Sequence, residues 1–283
     1  MNFTELMHAI SVECEVDRVN DDVTVRLLGE NQSISARAIL RVREAGFFSG
    51  SSVIEAFSSL FESRVKVISN IKEGDELKLD QEILRLEGTA DQCLSLERTL
   101  INYLSYLSGI ATLTHSFVEA VKPHPTRILA TRKTLPGLRA LQLQAVIAGG
   151  GHIHRRNLSD GILIKENHQI FLDSYTLLSR ARVNRSPLHR IEIEVQDFSL
   201  LECVLQKSPD VIMLDNFSES ELPRAIQQIR KHTQASHCQI EVSGGMTVDK
   251  VAKIAAMGVD YISVGRLTHS SPSLNMSMDL EKL

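Results

Sequence analysis

The sequence predicts an α/β protein whose larger part is a βα barrel, and three observations carry that prediction. From Arg127 onward the chain repeats strand, turn and helix, the strands are short and apolar, and polar residues collect at the strand ends. Alternating βα units with apolar strands imply a parallel sheet covered by helices. Six such strands favour a barrel, with a doubly wound open sheet as the alternative. A chain of 283 residues has room for one large barrel, or for a barrel with a smaller companion domain.

The elements follow in order. The first hundred residues mix short alternating strands with short helices: residues 35–43 alternate as a half-buried strand does, and 66–68 and 83–86 are further strands. A long helix starts near 89–91, because Leu96, Leu100, Leu104 and Leu107 fall on one face at three- and four-residue spacing. Its stretch 99–118 is uncharged for long enough to span a bilayer. Asn102, Ser105, Ser108, Thr112, Thr114, His115 and Ser116 are ill suited to hydrocarbon, so the expectation is a buried, packed helix and no membrane. The barrel strands are 127–131, 161–165, 191–195, 211–215, 239–243 and 261–265. Helices follow at 199–207, at 221–232 with Pro223 in its first turn, and at 248–257.

Hydrophobic residues at 43% and charged residues at 23% describe an ordinary globular protein and exclude a disordered one. The net charge of −4 argues against a nucleic-acid binder that works by neutralising phosphates. Charge is uneven, however: residues 122–168 hold eight Lys or Arg against two acids, and the rest of the chain holds 23 against 33. A basic focus in an acidic chain suits a small anionic ligand. Cys14, Cys93, Cys203 and Cys238 form no CxxC pair and read as reduced, mostly buried thiols of a cytoplasmic protein, none of them catalytic. The N-terminus lacks the basic start and continuous apolar run of a signal peptide.

The polar strand ends carry the chemistry. Arg132 and Lys133 follow the first barrel strand, Lys165 ends the second, and Glu194 lies near the end of the third. Asp215 ends the fourth, and Ser243 and Gly265 end the last two. In a βα barrel these positions form one rim, where ligand sites are built. Arg132, Lys133, Arg155 and Lys165 would gather carboxylates, Arg by bidentate forks and Lys as a compact charge. Glu194 and Asp215 would hold Mg²⁺, a hard cation that takes one or two carboxylates plus substrate oxygens. Alternation puts Glu192 on the same side as Glu194, and a solvated strand face is the plain alternative for both.

The turn 243–247 and the pair Gly265-Arg266 offer backbone amides for phosphate on the last strands. The string Gly149-Gly150-Gly151-His152-Ile153-His154-Arg155 joins close backbone approach or positive φ to cationic recognition of an acid. His152 and His154 lack a third metal ligand at matching spacing, so no zinc site is expected.

Taken in order, residues 130–139 (ATRKTLPGLR), 149–155 (GGGHIHR), 158–168 (LSDGILIKENH), 212–217 (IMLDNF), 241–245 (EVSGG) and 262–265 (ISVG) resemble successive motifs of the quinolinate phosphoribosyltransferases. Residues 96–112 are similar to that family's linking helix, and the resemblance, weakest before Ala36, runs through nearly the whole chain. It implies an N-terminal α/β sandwich domain over 1–103, to which 267–283 returns. It also implies a βα barrel with an incomplete strand count over 104–266, of the type II phosphoribosyltransferase kind. The implied reaction joins quinolinate and phosphoribosyl pyrophosphate, giving nicotinate mononucleotide, pyrophosphate and carbon dioxide in de novo NAD biosynthesis.

By motif match the quinolinate pocket comprises Thr131, Arg132, Lys133, His154, Arg155 and Lys165. The resemblance implies at least a homodimer, with Arg98 reaching across into the neighbouring subunit's pocket. It also assigns Glu194 and Asp215 to Mg²⁺–phosphoribosyl pyrophosphate, and Ser243, Gly244 and Gly265 to its phosphate end. Lys133, Lys165, Glu194 and Asp215 are the residues expected to carry catalysis. Ile153, Asn157 and Arg266 depart from the family's usual residues, but no charged pocket residue is lost, and Asn157 tolerates the left-handed geometry of a glycine.

Other readings are distinguishable. A paralogue acting on another aromatic acid without decarboxylation needs fewer cations. A Schiff-base aldolase would use Lys165 as nucleophile and has no use for Glu194 and Asp215 as a metal pair. A non-catalytic sensor of a phosphorylated ligand has no need of the acids and bases that are all present.

Overall fold

The structure, a computed structural model, describes residues 1–283. Its first elements are α1 (Phe3–Val16), β1 (Ser35–Val42), β2 (Gly46–Phe47), α2 (Ser51–Leu60), β3 (Lys66–Ser69), β4 (Glu76–Leu77), β5 (Glu82–Thr89) and α3 (Ala90–Ala120). There follow β6 (Arg127–Ala130), α4 (Arg139–Ala148), β7 (His152–Ile153), β8 (Ile162–Ile164), α5 (Glu166–Gln169), α6 (Ser174–Asn184), β9 (Ile191–Val195) and α7 (Phe198–Leu205). The chain ends with β10 (Val211–Asp215), α8 (Leu222–Lys231), β11 (Gln239–Ser243), α9 (Val248–Ala255), β12 (Tyr261–Ser263), α10 (Arg266–His269) and β13 (Met276–Lys282). Two compact units result, one of Met1–His115, Leu135–Gly150 and Ser270–Leu283, the other of Ser116–Thr134 and Gly151–His269.

The first unit is built on an antiparallel sheet in the order β13-β1-β5-β3. Alternation on β1 buries Ala36, Ala38, Leu40 and Val42 and turns Arg37 and Arg41 outward. The expected strand at 83–86 extends to the whole of β5 because β1 and β3 pair with it on both sides. Glu73 caps α2, accepting from the Gly50 and Ser51 amides at 3.0 and 2.9 Å, where the helix would otherwise leave donors unpaired. The leucine stripe of α3, Leu96, Leu100, Leu104 and Leu107, is buried as its spacing requires. Gly149 closes α4 against that helix: a Cβ there would overlap the Ala111 carbonyl oxygen, so only glycine fits. No helix is long and apolar enough to cross a membrane.

The second unit is a seven-stranded parallel sheet in the order β7-β6-β12-β11-β10-β9-β8. That order is the chain order wrapped into a circle, with a seam between β7 and β8. This is the α/β barrel with an incomplete circuit. The six expected strands are present, and β7 is a seventh, two residues long and too short to register as periodicity. Successive side chains point to opposite faces of a strand. One set, including Ile128, Ile164, Ile193, Ile212, Leu214, Ile240, Val242 and Ile262, is aliphatic and buried. The other set lines the interior and is polar in the main: Thr131, His154, Lys165, Glu192, Glu194, Asp215, Glu241, Ser243 and Ser263.

Candidate active site

All seven strand ends open on one cavity of about 690 Å³, which a sheet can enclose only by rolling up. Its wall divides by strand. Thr131, Arg132 and Lys133 follow β6, His154 and Arg155 follow β7, and Lys165 follows β8. These cations flank the seam. Glu194 of β9 and Asp215 of β10 come next, then the Ser243-Gly244-Gly245 turn of β11 and Ser263 of β12. Register levels the second sector: Asp215 sits beside Ser243, and Met213 lies between Glu194 and Glu241.

Lys165 Nζ donates to Glu194 Oε2 at 2.6 Å, tying the cationic sector to the carboxylate sector. The Gln169 amide also donates to the Glu194 carbonyl at 3.2 Å. Burial pushes the Glu194 carboxyl up to about 7; Lys165 pulls the other way, and Glu166 and Asp215 add to the push. On the cationic side, burial pulls the Arg155 guanidinium down, and the Arg132 charge adds to it. Arg155 donates to the Gly161 carbonyl at 3.1 Å, and the Thr268 hydroxyl donates to the Lys133 carbonyl at 2.8 Å. Arg155 is thus held by a neutral carbonyl, whereas the Lys165 charge is met by Glu194.

Asn216 joins the two parts of the acidic sector. It takes a left-handed φ of 58°, its amide donates to the Ser243 carbonyl at 3.0 Å, and its side-chain nitrogen donates to Asp215 Oδ2 at 2.8 Å. Gly244, at φ 107°, lies so close to the Asn216 carboxamide oxygen that a Cβ would overlap it. The conformation and the space both demand glycine.

Of the residues singled out from sequence, Thr131, Arg132, Lys133, His154, Arg155, Lys165, Glu194, Asp215, Ser243 and Gly244 line this cavity together. Gly265 does not; it packs behind Lys133, whose Cδ would stand 3.3 Å from a Cβ there. Arg266 is exposed on α10 and off the wall. Arg98 belongs to the first unit, is exposed, and lies 3.8 Å from Glu97. The solvated strand face proposed for Glu192 and Glu194 is overturned: the residues are 7% and 4% exposed, because that face of β9 looks into the barrel.

A second cavity of about 340 Å³ lies at the strand starts, lined by Arg127, His152, Arg190, Tyr261 and Glu192 among others, and shares His154, Arg155, Leu163 and Glu241 with the first. Between them His154 Nε2 lies 2.7 Å from Glu192 Oε2 and 3.5 Å from Glu241 Oε2. Their ligand-capable atoms all fall within 4.8 Å of one another. Sequence spacing offered His154 no further partner because these acids come from β9 and β11, 38 and 87 residues downstream. Asn216, Glu192 and Glu241 are thus site residues that sequence reasoning missed. The inward parity of Glu241 with Ser243 was the available signal.

A parallel barrel whose rim separates fixed cations from carboxylates and a glycine turn defines an enzyme for small acidic, phosphorylated substrates. The comparisons narrow that class. Residues 110–279 match the quinolinate phosphoribosyl transferase C-terminal domain, and residues 22–108 its N-terminal domain. A probable carboxylating nicotinate-nucleotide pyrophosphorylase of Methanocaldococcus jannaschii is 38% identical over 253 residues, 88% of each chain. Its Bacillus subtilis counterpart is 36% identical over 281 residues, covering 99% of this chain and 95% of the relative. The crystal structure of the nicotinate-nucleotide pyrophosphorylase of Ehrlichia chaffeensis superposes with a TM-score of 0.89 at 33% identity, covering 99% of both chains. The chain belongs to the quinolinate phosphoribosyltransferase family.

Proposed function

We propose that the cavity transfers the phosphoribosyl group of phosphoribosyl pyrophosphate to the ring nitrogen of quinolinate and releases carbon dioxide. The products are nicotinate mononucleotide and pyrophosphate, the carboxylating pyrophosphorylase activity for which the relatives are named. One observation carries the reading: the wall holds five basic side chains in one sector and Glu194, Asp215 and a glycine turn in the other, with Glu166 and Glu241 also on it. A dicarboxylic acid matches the first sector, and a phosphorylated sugar with its counter-ion matches the second.

In this reading Arg132, Arg155 and Lys165 clamp the two carboxylates and orient the ring nitrogen. The Ser243–Gly245 amides receive the sugar's phosphate end. Glu194 and Asp215 fit Mg²⁺: both are hard oxygen donors, and a divalent cation relieves the burial that discourages Glu194 from ionising. When bound, the ion would neutralise charge on the departing pyrophosphate. The ribosyl centre becomes positive as pyrophosphate leaves, and the pyridinium formed then draws in the electron pair left by carbon dioxide. Lys133 and Lys165 are the acids of the wall available to protonate that ring carbon.

The working unit in this reading is a cytoplasmic homodimer in which Arg98 of the partner subunit completes each pocket. Four free cysteines, three of them buried, suit a reducing compartment. The test is purified protein with carboxyl-labelled quinolinate, phosphoribosyl pyrophosphate and Mg²⁺. Labelled carbon dioxide and nicotinate mononucleotide should appear in equal amounts. Nucleotide without labelled gas would sink the decarboxylating reading in favour of a paralogous transfer to another aromatic acid.

A further inference from the structure

We propose that Glu192 and Glu241 are positioning residues: together they hold the His154 imidazole as a fixed cation on the wall of the acid-binding pocket. The inference rests on the reading of that pocket given above, and deepens it by adding a charge that neither Arg nor Lys supplies.

β7, β9 and β11 are not neighbours in the sheet, so the contacts of His154 with Glu192 and Glu241 cross the barrel interior. Glu241 is 1% exposed, and Glu192 opens on the rear cavity and not on the substrate cavity. Glu192 is therefore not placed to touch substrate, whereas His154 and the buried Glu241 line both cavities. Carboxylates at this depth need a compensating group, and their ionic partner is His154. Nε2 has no aligned hydrogen bond, so the attraction is that of opposite charges held close.

The other groups facing the imidazole act in known directions. Arg155, its chain neighbour, opposes a charge on His154, and Arg132 in turn faces Arg155. Leu163 of β8 shares the wall and is apolar, and Ser263 of β12 lies beside Glu241. Burial works against charge on His154, but Glu192, and Glu241 where it is ionised, outweigh it and raise the imidazole above its ordinary range. Glu241 is itself pushed up to about 8, by burial and then by Glu192, so at neutral pH it holds a proton. The two glutamates have different tasks. Glu192 makes the closer contact with the imidazole, and Glu241 supplies an acid that ionises only when pH rises.

The experiment follows the His154 imidazole by nitrogen-15 histidine NMR in the free protein, with His154→Gln assigning the resonance. Wild type should stay protonated above the ordinary histidine range. Glu192→Gln should lower the titration, Glu192→Asp should restore most of it, and Glu241→Gln should leave it nearly unchanged at neutral pH. In parallel, Glu192→Gln should raise KM for quinolinate roughly 10-fold at pH 8 and little at pH 5.5, with KM for phosphoribosyl pyrophosphate unmoved. A merely structural acid would alter both constants at both pH values. An imidazole that titrates in the ordinary range in wild type, or ignores Glu192→Gln, overturns the proposal. If the NMR behaves as expected and quinolinate does not bind, the substrate reading fails and the charged triad stands.

Discussion

Strands β1 and β9 alternate polar and apolar residues in the same way and put them to opposite use. On β1 and just beyond it, Arg37 pairs with Glu87 and Glu281, and Arg43 pairs with Asp80 and Asp279, all at 2.6 to 3.0 Å on a face that meets water. On β9, Glu192 and Glu194 occupy the equivalent phase, yet all five residues of the strand are buried. Their partners are His154 and Lys165 on a cavity wall. Alternation reveals which side a residue takes, not what fills that side. Where the filling is solvent, ion pairs are worth little. Where it is the inside of a barrel, low polarity strengthens each charge and the pairs become chemistry.

Neutralising the carboxylates of the barrel wall tests the interior side of this contrast most directly. Glu194→Gln or Asp215→Asn should lower kcat/KM for phosphoribosyl pyrophosphate by roughly 10²–10³-fold while sparing quinolinate binding in a direct titration. Loss of quinolinate binding with unchanged metal dependence would reverse the assignment of the two sectors.

Arg98 is the next case, since an exposed arginine should by the β1 rule be dispensable. Completing the neighbouring subunit's pocket would exempt it. Arg98→Ala and Lys165→Ala should each be on the order of 10²-fold less active, and the two should recover activity when dissociated and reassociated together, because one site of each hybrid is intact. Verified hybrids with no recovery would end the shared-site reading.

Substrate choice reads the cationic sector as a whole. Removing one carboxylate from the ligand leaves a cation of the wall unpaired, so nicotinate should be disfavoured by roughly 30- to 150-fold against quinolinate in a competition assay. Equal use of the two would mean that the sector does not count charge.

Stability reads the barrel interior without substrate. The Glu241 carboxyl rises from an ordinary 4.5 to about 8 on folding, so the native state holds an extra proton between those values, and stability falls as pH rises through that window. Glu241→Gln removes the dependence: its Tm should match wild type near pH 4 and exceed it by several degrees near pH 8. A constant difference across the window would contradict the buried proton. At the small end, Arg43→Ala should leave activity within about two-fold and Tm within about 2 °C, as expected for an ion pair on a solvated face.

Beyond Thr131 and His154, which the family resemblance supplied, the sequence by itself determined the strand–helix alternation, the buried stripe of α3, six barrel strands, and eight cavity-lining residues. These follow from local rules: periodicity sets which face is apolar, and in parallel βα units the functional groups stand at the C-terminal strand ends. Three things required the tertiary structure. β7 exists only because β6 pairs with it, since two residues carry no period. Asn216 matters because β10 and β11 are neighbours in register, bringing its carboxamide onto Gly244. The triad of His154, Glu192 and Glu241 exists because the sheet rolls up and sets β7, β9 and β11 facing one another across its interior. No spacing along a chain encodes a distance across a barrel. That distance is set by how many strands the sheet has and how far it curls, and it decides which buried charges find a partner.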